Sequence, residues 1–207
     1  MTGRAARRPV GAADERFQPV DRAEWRTWLA ENHAVAAGVW AVTYRRGAGR
    51  HVVTYDDLVE EALCHGWIDS RPGKLDDERT MLRFTPRKRR SVWSRPNKER
   101  VERLIADGRM TAPGLRLVEA AKADGSWDAL NDVDDLLVPE DLAAALAGAP
   151  AAARGFEALS PSMKRPILFW VGSAKRRETR ARRIEETLRY AAAGRSPIEW
   201  PRRPLEG

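Results

Sequence analysis

The sequence predicts an α+β fold: a small antiparallel sheet with helices in the N-terminal part, then an all-helical C-terminal part. Three observations predict it. Short runs rich in β-branched and aromatic residues, bounded by turn residues, fall within residues 39–86. From Ser94 onward, apolar residues recur at three- and four-residue spacing. And 207 residues, 43% of them hydrophobic, suffice to bury a substantial core.

Taken in order, residues 1–16 are rich in Arg, Ala and Gly without apolar periodicity and read as a disordered leader. Asp21, with Glu24 three positions on, has capping-box spacing, and Trp25, Trp28 and Leu29 share the face of a first helix. "GVWAVTYRR" predicts a strand at about 39–45, closed by the turn residues "GAGR". Thr54 and Asp57 mark a second helix start, with Leu58, Val59, Ala62 and Leu63 on one face and Gly66 as its stop, so the helix spans about 55–65. "WIDS" and "TMLRFTP" read as strands joined by the turn-like "RPGKLDDER".

Ser94 or Asn97 caps a helix in "SRPNKERVERLIADG", and "TAPGLRLVEAAKADG" repeats the pattern. This completes an α+β part over 17–124. The acidic stretch 125–138, "GSWDALNDVDDLLV", lacks a helical face and reads as a linker. Pro139 stands at an expected first helical position, opening a helical part over 139–194, and the proline-rich 195–207 reads as an extended tail.

Charge narrows the function classes. A formal charge of +7 favours anionic partners, although 31 of the 37 basic residues are arginine and compositional bias alone would produce much of that excess. Cys64 is the single cysteine, so an intrachain disulfide is excluded. The early arginines are not followed by an apolar run, and no later segment is long and apolar enough to insert in a membrane, so the expected location is cytoplasmic. His33, His51 and His65 fall in separate elements with no ligand spacing, and the phosphate-loop, dinucleotide and nucleophile-elbow motifs are missing, so neither metal nor cofactor is indicated.

The richest candidate site is "TPRKRRSVWSRPNKER" at 85–100, which holds seven basic residues around Trp93. Pro86 and Pro96 fix φ at two points and bias their predecessors away from helix. Arg83, Arg87, Arg95 and Arg100 are thereby candidates to converge on an oxyanion, with Ser94 and Asn97 as neutral partners and Trp93 as a stacking face. The alternative is a basic loop folded onto the acidic stretch 56–78, which holds eight carboxylates against two basic residues. "LCHGWIDS" places Cys64, His65 and Asp69 near a helix end; the negative end of the helix dipole opposes an activated thiol, so Cys64 reads as structural, His65 as a cationic residue at the helix C-terminus and Asp69 as an arginine partner. In "AKRRETRARRIEETLRY", arginines 176, 177, 180 and 183 form one helical stripe; with Lys175 they are either a solvated face or a second lobe of the anion site.

"EEALCHGWIDS", "RFTPRKRRSVWSRPNKERVERL", "GRMTAPG", "VPEDLAAAL" and "SAKRRETRARRI", in that order, resemble the YdeI/OmpD-associated, bacteriocin-protection family, over about Phe17 to Ala192. The family pattern has an aromatic where this chain has His65. The resemblance implies a bacterial accessory protein linked to stress and supplies no catalytic residue. Three functions follow as expectations. The first is an Arg-rich cleft for a small phosphate- or carboxylate-bearing ligand, built from Asp69, Arg83, Arg87, Trp93, Ser94, Arg95, Asn97, Arg100, Lys175 and Arg180. The second is nucleic-acid binding on the same surface, and the third is an enzyme using Asp69 or His65 as acid-base group. The oligomeric state is not legible.

Overall fold

The computed structural model describes residues 15–50 and 53–198. Residues 1–14 of the predicted leader, His51 and most of the predicted tail lie outside them, whereas Glu15 and Arg16, read as the end of that leader, join the sheet. The chain divides into two compact units at the Asp128–Ala129 bond, within the stretch read as a linker.

The first unit is α+β. Its order is β1 (Arg16–Phe17), α1 (Arg22–Asn32), β2 (Val39–Tyr44), α2 (Tyr55–Cys64), β3 (Trp67–Lys74), β4 (Arg79–Pro86), α3 (Arg95–Ala106) and α4 (Ala112–Ala123). The sheet order is β1-β2-β4-β3. β2, β4 and β3 are antiparallel as expected, but β1 adds a parallel pairing to β2 that makes the sheet mixed. A two-residue strand carries no alternation to read, and Trp40 N–H donating to the Glu15 carbonyl at 2.8 Å extends its pairing. β3 also runs past Ser70, where the sequence predicted a turn. A register shift between Asp69 and Pro72 accommodates a proline that cannot donate to the ladder, and pairing resumes through Lys74.

Local chemistry sets the helix starts. Asp21 accepts the Glu24 N–H at 2.8 Å, while Glu24 reaches back one residue beyond the cap to the Val20 N–H. Thr54 and Asp57 form a reciprocal capping box. Ser94 is the N-cap of α3, with proline in the first turn. The core beneath the sheet is aromatic: Trp25, Trp67 and Phe84 are at most 1% exposed, and both indole N–H groups find carbonyls, Trp25 on Leu58 and Trp67 on His33.

One polar feature lies inside this packing. α2 is buried on both faces, so Glu60 and Glu61 are 6% and 0% exposed. Arginines from three directions close on them. Arg22 donates to Glu61 and Glu60 at 2.6 Å each and to Asp57 at 3.0 Å; Arg26 donates to Glu61 at 2.6 Å. Arg103, at the end of α3, donates to Glu60 at 2.5 Å, and Arg109, just beyond it, to Glu61 at 2.7 Å. Buried carboxylates are tolerated when hydrogen-bonded by cations in this way, and the contacts tie α1, α3 and the turn after α3 to α2. Close backbone approach completes the fit: a Cβ on Gly114 would meet the Cys64 carbonyl at 2.4 Å.

The second unit is helical: α5 (Asn131–Asp134), α6 (Glu140–Ala147), α7 (Pro150–Ala158), α8 (Pro161–Gly172) and α9 (Arg177–Ala192). The expected linker thus contains the short α5, and Pro139 is the N-cap of α6, one position before its expected place. Leu142, Ile167, Leu168 and Val171 form its core, each at most 2% exposed. Gly155 lets α7 lie against α9; a Cβ there would come within 1.7 Å of the Ala191 carbonyl.

Two outcomes are expected. Glu61→Gln lowers the stability of the first unit by about 2–4 kcal/mol, below the usual cost of breaking a buried pair because the arginines are partly exposed. The urea midpoint followed by tryptophan fluorescence checks this, since six of the eight tryptophans lie in that unit. Gly155→Ala costs about 1–3 kcal/mol by overpacking and speeds amide exchange in α7 and α9 while leaving the sheet protected.

Candidate functional site

The structure distributes the seven cations of 85–100 among different roles. β4 ends at Pro86, and Arg87 turns the chain inward, its backbone N–H donating to the Gly66 carbonyl at 2.9 Å. Its guanidinium is only 8% exposed and lies 3.6 Å from the centre of the Trp93 ring. One nitrogen, Nη2, donates to the Val92 carbonyl at 2.5 Å, whereas the buried Nε has no hydrogen-bond partner. No ion pair is formed by Arg87 among the described residues. Burial therefore pulls its pKa down to about 10, opposed only by the field of Asp69.

After Arg87 the chain makes a tight turn. Ser91 N–H and Oγ both donate to the Lys88 carbonyl, and Arg90 adopts φ +59°, a left-handed conformation that costs a non-glycine residue about 1–2 kcal/mol. The turn leaves Lys88, Arg89 and Arg90 exposed. Beneath it lies a narrow crevice against α4, walled by Leu117, Ala121 and Asp124, with Arg87 and Trp93 at its inner side. Asp124 accepts the Ser126 N–H at 3.0 Å and sits in the field of Arg89 and Arg90. Four cations against one carboxylate leave the crevice positive.

Asp69, Asn97 and Arg100 come together around Tyr55, a residue the sequence reading did not single out. The Tyr55 hydroxyl donates to Asp69 at 3.1 Å, and Arg100 lies 5.7 Å from the Tyr55 ring centre. Arg100 also donates to Asp56 at 2.6 Å and to Asn97 at 3.3 Å. Burial, followed by the charge of Asp69 and its hydrogen bond, raises the Tyr55 pKa and keeps the hydroxyl a donor. The signal was an aromatic at the first position of α2, facing the strand end that carries Asp69.

The remaining candidates are placed as follows. Arg83 lies against Gly38, where a Cβ would come within 2.6 Å of its guanidinium, and Gly38 has φ +151°. Ser94 caps α3 through its backbone, its side chain making no cap bond, and Arg95 begins that helix. Trp93 is 2% exposed, covered by Arg87 and by Trp127 at 5.0 Å between ring centres, so the expected stacking face is not open to a base. Lys175 and Arg180 belong to the second unit. There Arg180 grips Asp141 with two nitrogens, at 2.5 and 2.8 Å, and donates to the Val171 carbonyl; Arg183 donates to the Trp170 carbonyl. Two arginines of the stripe thus fasten α9 to α6 and to the end of α8.

Cys64 is fully buried and its thiol is pushed up to about 12 by burial and by Glu61, which fits the structural role expected. His65 is 6% exposed, bonded through Nδ1 to the Glu61 carbonyl, with its ring 5.7 Å from that of His33. Burial lowers its pKa, outweighing the hydrogen bond to the Glu61 carbonyl that raises it, and the neighbouring His33 adds to the lowering. A core histidine held neutral does not reach a substrate, so the acid-base reading of His65 is set aside. It does make stability pH-dependent. Below its ordinary pKa of 6.5 the unfolded chain takes up a proton that the folded chain refuses, so stability falls as pH drops from 6.5 toward the folded value. The expected result is a lower melting temperature at pH 5.5 than at 7.5, with the difference reduced in His65→Gln.

Among the described residues no helix is long and apolar enough to cross a membrane. Two family models match separate stretches of the chain. Residues 17–117 match a domain of unknown function, DUF8412, and residues 135–194 match the family described as bacteriocin-protection, YdeI or OmpD-associated. No curated protein and no solved structure matches. Of the five motifs that carried the resemblance, "VPEDLAAAL" and "SAKRRETRARRI" fall in the second match and the other three in the first. Over residues 135–194 the helical unit is thus similar to the YdeI/OmpD-associated, bacteriocin-protection family.

Proposed function

We propose that this protein is an accessory, stress-protective binding protein of the YdeI/OmpD-associated type whose first unit takes a small phosphate- or carboxylate-bearing ligand at the 87–91 turn, which has to open to admit it because the crevice beneath holds only ≈ 10 Å³, the room of a single water. One observation carries the reading: Arg87 is buried without an ionic partner and with Nε unbonded, at the wall of a positively charged crevice. A buried, unpaired guanidinium is unfavourable, and an oxyanion supplies the acceptors it lacks. Lys88, Arg89 and Arg90 add long-range attraction that speeds encounter. Arg100 contributes less because it already faces Asp56, and Arg180 belongs to the second unit, where it faces Asp141. The nucleic-acid reading loses its stacking group with Trp93, and Asp69 is engaged by Tyr55.

The test is a thermal-shift and calorimetric titration of the full chain with inorganic phosphate, sulfate and a nucleoside monophosphate. A ligand at a hundredfold excess over its Kd stabilises the folded form by about 2.7 kcal/mol. Arg87→Gln is expected to abolish that shift while changing the ligand-free stability by no more than about 1 kcal/mol, because removing an unpaired buried charge offsets the lost contact with Trp93. Equal anion binding by wild type and Arg87→Gln, or none by either, overturns the reading.

A further inference from the structure

A second cavity, of ≈ 440 Å³, opens at the other end of the sheet from Arg87. It exists because the core-facing side of the sheet outruns its helical cover. On that side Val39 pairs with Phe84, and both are fully buried; next, Ala41 pairs with Leu82, and then Thr43 with Thr80. β4 is an interior strand, yet Leu82 and Thr80 are only half-buried, since α2 starts at Tyr55. Val53 and Leu58, both 3% exposed, flank the opening, and Tyr55, 52% exposed, stands at its edge.

Three hydroxyls of the wall are already engaged. Thr54 Oγ1 donates to Asp57 at 2.6 Å, Thr80 Oγ1 to the Gly73 carbonyl at 3.0 Å, and the Tyr55 hydroxyl to Asp69 at 3.1 Å. What faces the interior is therefore mostly hydrocarbon, and the volume is that of a small-molecule site. At the rim stand Arg45 and Arg46, both exposed, and neither forms an ion pair among the described residues. Mostly apolar walls select an apolar body, and two guanidinium groups at the mouth without ion pairs among the described residues select a negative end.

We propose that this cavity binds a small amphipathic carboxylate, with its hydrocarbon body against Val53, Leu58 and Leu82 and its carboxylate on Arg45 and Arg46. The site is separate from the crevice at Arg87 and does not depend on it. The probes are hexanoate, octanoate and decanoate, titrated calorimetrically into the full chain, with decyltrimethylammonium as the cation of matched length. Decanoate is expected to bind, with affinity rising by up to about fourfold per methylene along the series. Arg45→Ala/Arg46→Ala is expected to weaken it roughly tenfold, and Thr43→Phe, which places a ring in the cavity, to abolish it. Arg87→Gln leaves it unchanged. Because the two arginines are on the surface, the double-alanine variant keeps the test decisive even if Thr43→Phe fails to fold. The proposal is overturned if decyltrimethylammonium binds as tightly as decanoate, if the double variant binds decanoate like wild type, or if a folded Thr43→Phe retains binding.

Discussion

The first unit depends on the burial of Glu60 and Glu61 in α2. Two carboxylates withdrawn from water are stable only if cations come to them, and the fold brings Arg22, Arg26, Arg103 and Arg109 from α1, from α3 and from the turn beyond it. That requirement fixes which helix faces meet, and it places α3 so that its N-terminus returns to the end of β4. The aromatic core supplies most of the driving force, being non-directional. The buried ion cluster adds direction.

The same arrangement explains the distribution of charge on the molecule. Glu60 and Glu61 of α2 are engaged by arginines from outside the 85–100 segment, and Asp56 takes Arg100 from within it. Arg87 has no carboxylate partner among the described residues, and Asp124 lies in the field of Arg89 and Arg90. In the second unit, Arg180 on Asp141 and Arg183 on the end of α8 show arginine used again as a fastener. Arginine suits this work because its planar fork donates to several acceptors at once. An arginine-rich composition is thus partly structural, and the functional question reduces to the few guanidinium groups that form no ion pair among the described residues.

Much of the fold was legible because local signals agreed with the tertiary result. The Thr54–Asp57 box, the proline in the first turn of α3 and the alternation in β2 and β4 each point to the element that forms. β1 was not legible, since two residues carry no period, and the extension of β3 was hidden by Pro72, which marks a turn in most contexts. The site was legible only in outline. Clustered cations at 85–100 drew attention to Arg87, but composition cannot tell a buried guanidinium from an exposed one. Nor does helical periodicity show that the polar side of α2 is buried as well, because that depends on α1 and α3 packing on it. Trp93 was misjudged as a stacking face for the same reason: an aromatic among arginines reads as a nucleic-acid platform, yet here one of those arginines covers its ring.

The central claim is that the first unit holds its inward-facing arginines in two different states, with Arg22 and Arg26 neutralised by α2 and Arg87 buried without an ionic partner among the described residues. Nε–H NMR spectra of the arginine side chains during a phosphate titration address it directly. The account requires the Arg22 and Arg26 Nε–H signals to be protected from exchange and unmoved by phosphate, while the Arg87 signal shifts with saturation. An Arg87 signal that stays fixed while those of Arg22 or Arg26 move would contradict it.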